Sequence, residues 1–237
     1  MFKNKIILIT GGSSGIGEAT ALLFAKNGAD VALTYKSNKN GAEEVVKKIK
    51  ELGCKAIAIR ANLIKERQAR KAVEKTVKEF GKIDILVNNA GRYIDGDEWN
   101  GTAKIWIKSL EQNLVSVMSV SKYVIGVFQR QKSGVMINVS SRYSFEGQYD
   151  SLSYAAAKAG VVNITQGYAK LLAQFGGRAN AVSPSAVRAG YWLTAPKEEL
   201  EKKENRLINP ESVAQKIVFL ASEDARNING QNFPITE

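Results

Sequence analysis

The 237-residue chain contains no histidine. That removes histidine-based nucleophilic triads, histidine general bases and histidine-ligated metals. Proton chemistry is left to Tyr, Lys, Ser and the carboxylates. Within that reduced set, Tyr154 and Lys158 stand out in the run Tyr-Ala-Ala-Ala-Lys. On a helix this spacing puts both side chains on one face, one turn apart. A neighbouring ammonium favours tyrosinate, so the phenol becomes a better acid or base near neutral pH. Ser141 lies thirteen residues before Tyr154, just past a stretch (137–140) that reads as a strand. Parallel sheets bind ligands outside the C-terminal ends of their strands. A hydroxyl, a phenol and an ammonium gathered there suit the polarisation and protonation of a carbonyl.

A second constellation stands near the N-terminus. Thr10, Gly11, Gly12, Ser13, Ser14, Gly15, Ile16 and Gly17 follow the β-branched run 6–9 and precede a helical pattern. Glycines let a backbone turn tightly and approach a pyrophosphate, which then sits on the helix N-terminus. Strand, turn and helix supply the context that such a loop requires. The spacing is Gly-x-x-x-Gly-x-Gly. In NAD sites an acid about 20 positions further on takes the ribose hydroxyls. Here the second strand ends Leu33, Thr34, Tyr35, Lys36, Ser37, with no acid. A 2′-phosphate would find a charge and hydroxyls there. NADP is therefore expected rather than NAD.

These residues need elements to hold them, and the hydrophobic pattern supplies an alternation. Strands are expected at 6–9, 31–34, 56–59, 83–87, 135–139, 179–182 and 232–235. Helices are expected at 16–26, 42–52, 63–80, 103–129, 153–174 and 210–221. Alternation along the whole length implies an α/β fold: one Rossmann-type, doubly wound parallel sheet of about seven strands, with helices on both faces. No linker divides the chain, so residues 1–237 read as one dinucleotide-binding and catalytic domain. The irregular stretch 184–209 reads as a substrate flap within it.

Composition bounds the rest. The content is ordinary for a globular protein, with 44% hydrophobic and 24% charged residues. The single cysteine, Cys54, allows no internal disulfide and fits a reducing, cytoplasmic setting. The net charge of +11 favours anionic partners. Most basic residues interleave with Glu on helical stretches such as 65–78, which reads as a solvated face rather than a nucleic-acid surface. The N-terminal apolar run is too short for a membrane span. No metal site is expected.

The chain resembles the short-chain dehydrogenase/reductase family. The resemblance rests on 10–17, on Asn88, Asn89, Ala90 and Gly91, on Asn113, Ser141, Tyr154 and Lys158, and on Asn180, Ala181, Val182, Ser183 and Pro184. These occur in the family's order and span residues 3 to about 231. The nearest look is to 3-oxoacyl-[acyl-carrier-protein] reductases and related carbonyl reductases. The resemblance implies that Ser141 donates to a substrate carbonyl and that Tyr154 delivers the proton as hydride arrives. Lys158 would hold the nicotinamide ribose, and Asn113 would position a relay water. Gly11, Ser13, Ser14, Gly15, Ile16, Gly17, Tyr35, Lys36, Ser37, Asn62, Leu63, Asn89, Ala90, Gly91, Pro184 and Val187 would join Tyr154 and Lys158 in binding the cofactor. Asn88 is expected to pin neighbouring strands.

Arg92, Tyr93, Arg142, Tyr143, Gln148, Tyr149, Arg188 and Tyr191 are candidate substrate contacts. Lys132 falls where carrier-protein-dependent relatives dock their partner. Apolar residues on the long helices (Val115, Val117, Met118, Val120; Val161, Val162, Ile164) imply, by analogy, a homodimer or homotetramer.

The chain departs from the family pattern in several places. Asn62 replaces an acid beside the adenine, Ser185 replaces a glycine and Ala189 a threonine. The flap is short, and the C-terminus reads Phe233, Pro234, Ile235, Thr236, Glu237. The expected activity is NADP(H)-dependent reduction of a ketone or aldehyde, with a 3-oxoacyl thioester among the substrates. A catalytically weak, NADP-binding sensor or partner-binding protein of the same fold is the alternative.

Overall fold

The computed structural model describes residues 1–193, 195–203 and 207–236. Its seven strands are β1 (Ile6–Ile9), β2 (Asp30–Tyr35), β3 (Ala56–Arg60), β4 (Ile85–Asn88), β5 (Gly134–Val139), β6 (Gly177–Pro184) and β7 (Asn232–Ile235). They pair in parallel in the order β3-β2-β1-β4-β5-β6-β7. The helices are α1 (Gly15–Lys26), α2 (Lys39–Glu51), α3 (Glu66–Phe80), α4 (Ala103–Leu110), α5 (Ser116–Gln131), α6 (Leu152–Ala173), α7 (Lys197–Lys203) and α8 (Pro210–Ala221).

Alternation along β1 shows why the sheet needs cover on both faces. Ile7 and Ile9 enter one core with Phe24 of α1, Val45 of α2 and Ile217 of α8. Leu8, between them, enters the other with Val73 of α3, Val124 of α5 and Leu172 of α6. A strand buried on both faces reads as an unbroken apolar run, as β1 does. No helix among the described residues is long and apolar enough to cross a membrane.

Three of the expected helices differ, each for a local reason. α2 begins at Lys39, because the Asn38 side chain accepts from Gly41 N at 3.1 Å and caps the helix three residues before the apolar stripe starts. α3 begins at Glu66 rather than 63. Residues 62–65 form a turn, with Lys65 N donating to Asn62 O at 3.0 Å, and Leu63 is buried in the second core. The helix expected at 103–129 is interrupted by a π segment, Glu111–Val115, and resumes as α5. Side chains compete there for the helix carbonyls. Asn113 Nδ2 donates to Ser109 O at 3.0 Å and Ser116 Oγ to Gln112 O at 2.7 Å.

Of the apolar residues expected to face a second subunit, Val117, Val120 and Val161 belong to the core of this one. Val115 and Met118 are exposed at 41% and 46%. Asn88 does pin strands: its Nδ2 donates to Asn138 Oδ1 on β5 at 2.8 Å and to Ser121 Oγ at 3.0 Å.

Candidate active site

The sheet order reverses between β1 and β4; a sheet of this kind leaves its ligand crevice outside the C-terminal strand ends at such a switch point. Residues 10–17 leave β1 there and residues 89–91 leave β4. The two loops are braced together. Thr10 Oγ1 accepts from Asn89 N at 2.9 Å and Ala90 N at 3.0 Å, while Asn89 Nδ2 donates to Thr10 O at 3.0 Å and Gly11 O at 2.9 Å. The Asn89 side chain is thus spent on the phosphate-type loop, leaving the backbone of 89–91 to line the crevice.

Gly15 opens α1 at φ +57°, a left-handed conformation that favours glycine. The N-cap of α1, Ser14, makes no side-chain cap bond. The first-turn amides are therefore not covered by a capping side chain, and an anion is the group that such an N-terminus takes. Ile16 packs on the first core, so only its backbone faces the loop. Asn38 Nδ2 donates to Ser13 O at 3.2 Å, which places the residues after β2 beside this loop. Tyr35 is half-buried, and Lys36 and Ser37 are exposed. Ala61 N donates to Tyr35 O at 2.8 Å and brings Asn62 to the same edge. Leu63 is buried, as is Val187, which bridges to Ile208.

At the end of β6, beyond Pro184, Ser185 Oγ is buried with no hydrogen-bond partner among the described residues. A buried hydroxyl costs free energy until something pairs with it. An uncapped helix start, an unpartnered hydroxyl and an exposed cation after β2 fit a phosphorylated dinucleotide lying across these strand ends.

The chemistry-bearing residues meet on the other side of β4. Ser141 follows β5 and caps the short turn Arg142–Ser144, its Oγ accepting from Tyr143 N at 3.3 Å. Tyr154 and Lys158 stand one turn apart on α6. The Ser141 hydroxyl lies near enough to the Tyr154 phenol to favour its ionised form. Lys158 is 3% exposed; its Nζ lies 5.6 Å from the Tyr154 ring centroid and donates to Val139 O at 3.0 Å. Ser140 Oγ donates to Lys158 O at 2.8 Å, fixing the backbone of the same residue. A Cβ on Gly91 would come within 3.3 Å of Lys158 Nζ and 2.6 Å of Asn113 Oδ1, so the residue facing the lysine must be small.

Asn113 sits in the π segment, wholly buried. Its Oδ1 accepts from Arg92 N at 2.9 Å, and its Nδ2 donates to Arg92 O at 2.9 Å and to Ser109 O. Both amide hydrogens are committed. The side chain holds the loop after β4 against Lys158, and a relay water would have to meet the second Oδ1 lone pair or the backbone.

One expectation fails. The ammonium was to draw the Tyr154 phenol down. Burial instead pushes it up to about 12, against the lowering effect of the Ser141 hydroxyl. Burial likewise lowers Lys158 to about 8. The Lys158 ammonium is directed at Val139 O, and its Nζ stands 5.6 Å from the Tyr154 ring centroid.

Among the substrate candidates, Tyr93 and Tyr143 pack edge-on to the Tyr154 ring, with centroids 6.4 and 6.3 Å away. Burial and nearby carboxylates push Tyr93 up to about 12. Arg142 lies over the Tyr143 ring and pairs with Glu146 at 3.4 Å. Gln148 and the exposed Tyr149 lie on the loop before α6, and Arg92 and Arg188 are exposed. The side chain of Tyr191 lies outside the described residues. Lys132 ends α5 in a left-handed conformation and is exposed. The 184–209 stretch carries a bridge, a short turn (Gly190–Leu193) and α7. Asp97, which no sequence signal singled out, lies wholly buried against the backbone of Tyr154.

Known proteins are similar to this chain in sequence and fold. The family model for short chain dehydrogenases matches residues 5–200. The 3-oxoacyl-[acyl-carrier-protein] reductase of Thermotoga maritima is 36% identical over 234 residues, covering 97% of this chain and 95% of that protein. The crystal structure of levodione reductase is similar at a TM-score of 0.94 and 29% identity, with 100% of this chain and 97% of that one covered. A short chain dehydrogenase from Burkholderia cenocepacia in complex with NADP is similar at 0.91 and 30%, with 99% and 97% covered.

Proposed function

This chain belongs to the short chain dehydrogenase family, and we propose that it is an NADP(H)-dependent reductase of ketones or aldehydes. The observation that carries the reading is the group of half-buried Ser141, half-buried Tyr154 and buried Lys158 at the strand ends, beside a helix N-terminus without a capping side chain. When bound, the reduced nicotinamide supplies the hydride.

The chain's own residues do the rest. Ser141 donates to the carbonyl oxygen and localises the charge that develops there. Tyr154 hands its proton to the same oxygen. A phenol pushed up to about 12 is fully protonated at neutral pH, which is the form reduction requires. Lys158 stays cationic below about pH 8 and faces the crevice past Gly91, where it holds the ribose of the nicotinamide half. Asn113 is a positioning group for that loop.

The first turn of α1 with Ser13 and Ser14 takes the pyrophosphate. Lys36 and Ser37 take the 2′-phosphate beside Tyr35, and Asn62 with the Leu63 backbone faces the adenine. Ala90 and Gly91 line the adenosine side; Pro184, Ser185 and Val187 line the nicotinamide side. Residues 184–209 form the flap over the substrate, within one catalytic domain spanning the chain.

Two similarities support a 3-oxoacyl thioester and levodione as first substrates: the Thermotoga 3-oxoacyl-[acyl-carrier-protein] reductase and levodione reductase. The NADP complex of the Burkholderia relative supports the cofactor choice together with Lys36. The exposed Val115 and Met118 support assembly into a homodimer or homotetramer. A screen of acetoacetyl-CoA, levodione, aliphatic ketones and aldehydes against both reduced cofactors tests the reading. Turnover with NADPH exceeding that with NADH is expected. Tight NADPH binding without turnover of any carbonyl would leave a dinucleotide-binding protein and end the enzyme assignment.

A further inference from the structure

The N-terminus of α6 has no cap from its own sequence. Its N-cap residue, Ser151, makes no side-chain cap bond, and its Oγ donates to Asp150 Oδ1 at 3.2 Å. The first amides of a helix have no partner within it. Here all three find acceptors, and all three acceptors belong to Asp97, more than fifty residues upstream. Leu152 N donates to Asp97 O at 2.8 Å, Ser153 N to Oδ1 at 3.1 Å and Tyr154 N to Oδ2 at 2.7 Å. The next amide, Ala155 N, makes the helix's own first bond, to Ser151 O at 2.8 Å.

The Asp97 carboxylate is 0% exposed. Ser153 Oγ also donates to Oδ1, and Ser109 Oγ of α4 donates to Oδ2 at 3.3 Å. A buried carboxylate tolerates desolvation when amide and hydroxyl donors surround it, and the positive end of the helix dipole favours it further. Through Ser109 the network continues: Ser109 O accepts from Asn113 Nδ2 at 3.0 Å. One carboxylate therefore touches the backbone of Tyr154 and the turn that holds Asn113. Two further bonds join the same segments, Trp99 N to Tyr149 O at 2.8 Å and Tyr93 Oη to Asp150 O at 3.2 Å.

We propose that Asp97 is a positioning residue for the reaction: it fastens the loop after β4 onto the first turn of α6 and so fixes where Tyr154 stands against Ser141 and Lys158. The inference rests on the carbonyl-reductase reading above. Its specific content comes from a contrast within α6. Tyr154 is the third residue of the helix and depends on Asp97. Lys158, one turn further in, has its own anchors in Val139 O and Ser140 Oγ. Without Asp97 the first turn frays and Tyr154 leaves its place, while Lys158 and the cofactor face of the crevice remain. A displacement of about 1 Å at a reacting group costs up to about 100-fold in rate.

The test compares wild type with Asp97→Asn and Asp97→Ala well below their melting temperatures. Asparagine keeps the volume and one acceptor but turns an NH2 group toward the donors. Turnover of acetoacetyl-CoA, or of the screened ketone reduced fastest, is measured with NADPH; NADPH affinity is measured separately, and amide hydrogen exchange is followed along α6. The expected result is kcat lowered about 10-fold or more, NADPH Kd within about twofold of wild type, and faster exchange confined to the amides of 152–154. A cap that serves stability alone would leave kcat per NADPH-binding site unchanged, and that result in Asp97→Asn overturns the proposal. If Asp97→Ala does not fold, Asp97→Asn carries the comparison. If the wild type reduces no carbonyl, the reductase reading has failed on its own account. Exchange at Tyr154 N then still decides whether Asp97 holds the helix start, and unchanged exchange in Asp97→Asn refutes it.

Discussion

Replacing Lys158 with methionine removes a charge that the fold holds at a cost. Burial takes this lysine from the usual 10.5 to about 8. Keeping it charged at pH 7 therefore costs about 3 kcal/mol relative to the unfolded chain. Methionine fills a similar volume without that cost, but it gives up the bond from Nζ to Val139 O at 3.0 Å. A bond from a charged donor is worth about 1.5–3 kcal/mol, so at pH 7 the exchange should favour methionine by about 1 kcal/mol. For a chain of this length that raises Tm by about 2–4 °C.

The pH dependence is the sharper signature. A lysine with a lowered folded-state pKa binds fewer protons folded than unfolded between about 8 and 10.5, so wild-type stability gains as pH rises through that window. The burial cost is fully present below pH 8 and falls below about 1 kcal/mol by pH 10. Lys158→Met should thus be the more stable protein at pH 7 and lose that advantage by pH 10, where the wild-type amine is neutral and its remaining burial cost is about offset by an uncharged bond to Val139 O, while carbonyl reduction is lost at both. Denaturant unfolding of both proteins at the two pH values measures this directly. A stability difference that does not change with pH would refute the burial argument for Lys158.

Other outcomes follow from the same geometry. Reduction should hold level up to about pH 8 and decline above it as Lys158 loses its proton, since Tyr154, pushed up to about 12, stays protonated throughout; a rate that rises through pH 8 would contradict this. Lys36→Glu should weaken NADPH at least 10-fold more than NADH, read from the Kd ratio, because a carboxylate would repel the 2′-phosphate. Asn88→Ala should cost about 1–2 kcal/mol in denaturant unfolding, leaving Asn138 Oδ1 unpaired while Ser121 Oγ keeps Met136 Sδ, with NADPH affinity unchanged.

The sequence made the sheet legible because each central strand is buried on both faces and reads as an apolar run. The bounds of β1 and α8 follow from those runs alone, the latter with Pro210 in its first turn. Ser141, Tyr154 and Lys158 were legible because their types, spacing and order are rare together. Three things were not. The π segment at 111–115 arises from side chains competing for carbonyls, which leaves no mark on hydrophobic periodicity. The direction of the Tyr154 shift depends on where Nζ points and how deeply the ring is buried, and spacing carries neither. Asp97 was missed because the amides it holds come more than fifty residues later; between Asp95 and Glu98 it looks like one more surface acid.

Tyr154 is the proton donor on which the proposed carbonyl reduction depends. Tyr154→Phe removes one hydroxyl and leaves the ring between Tyr93 and Tyr143. The direct measurement is the loss of reduced-nicotinamide absorbance by wild type and Tyr154→Phe with NADPH and the carbonyl panel, alongside NADPH binding to both. The expected result is turnover by the wild type, a fall of about 100-fold or more in the variant, and equal NADPH affinity. Reduction by Tyr154→Phe at the wild-type rate, or parallel loss of turnover and NADPH binding, would contradict it.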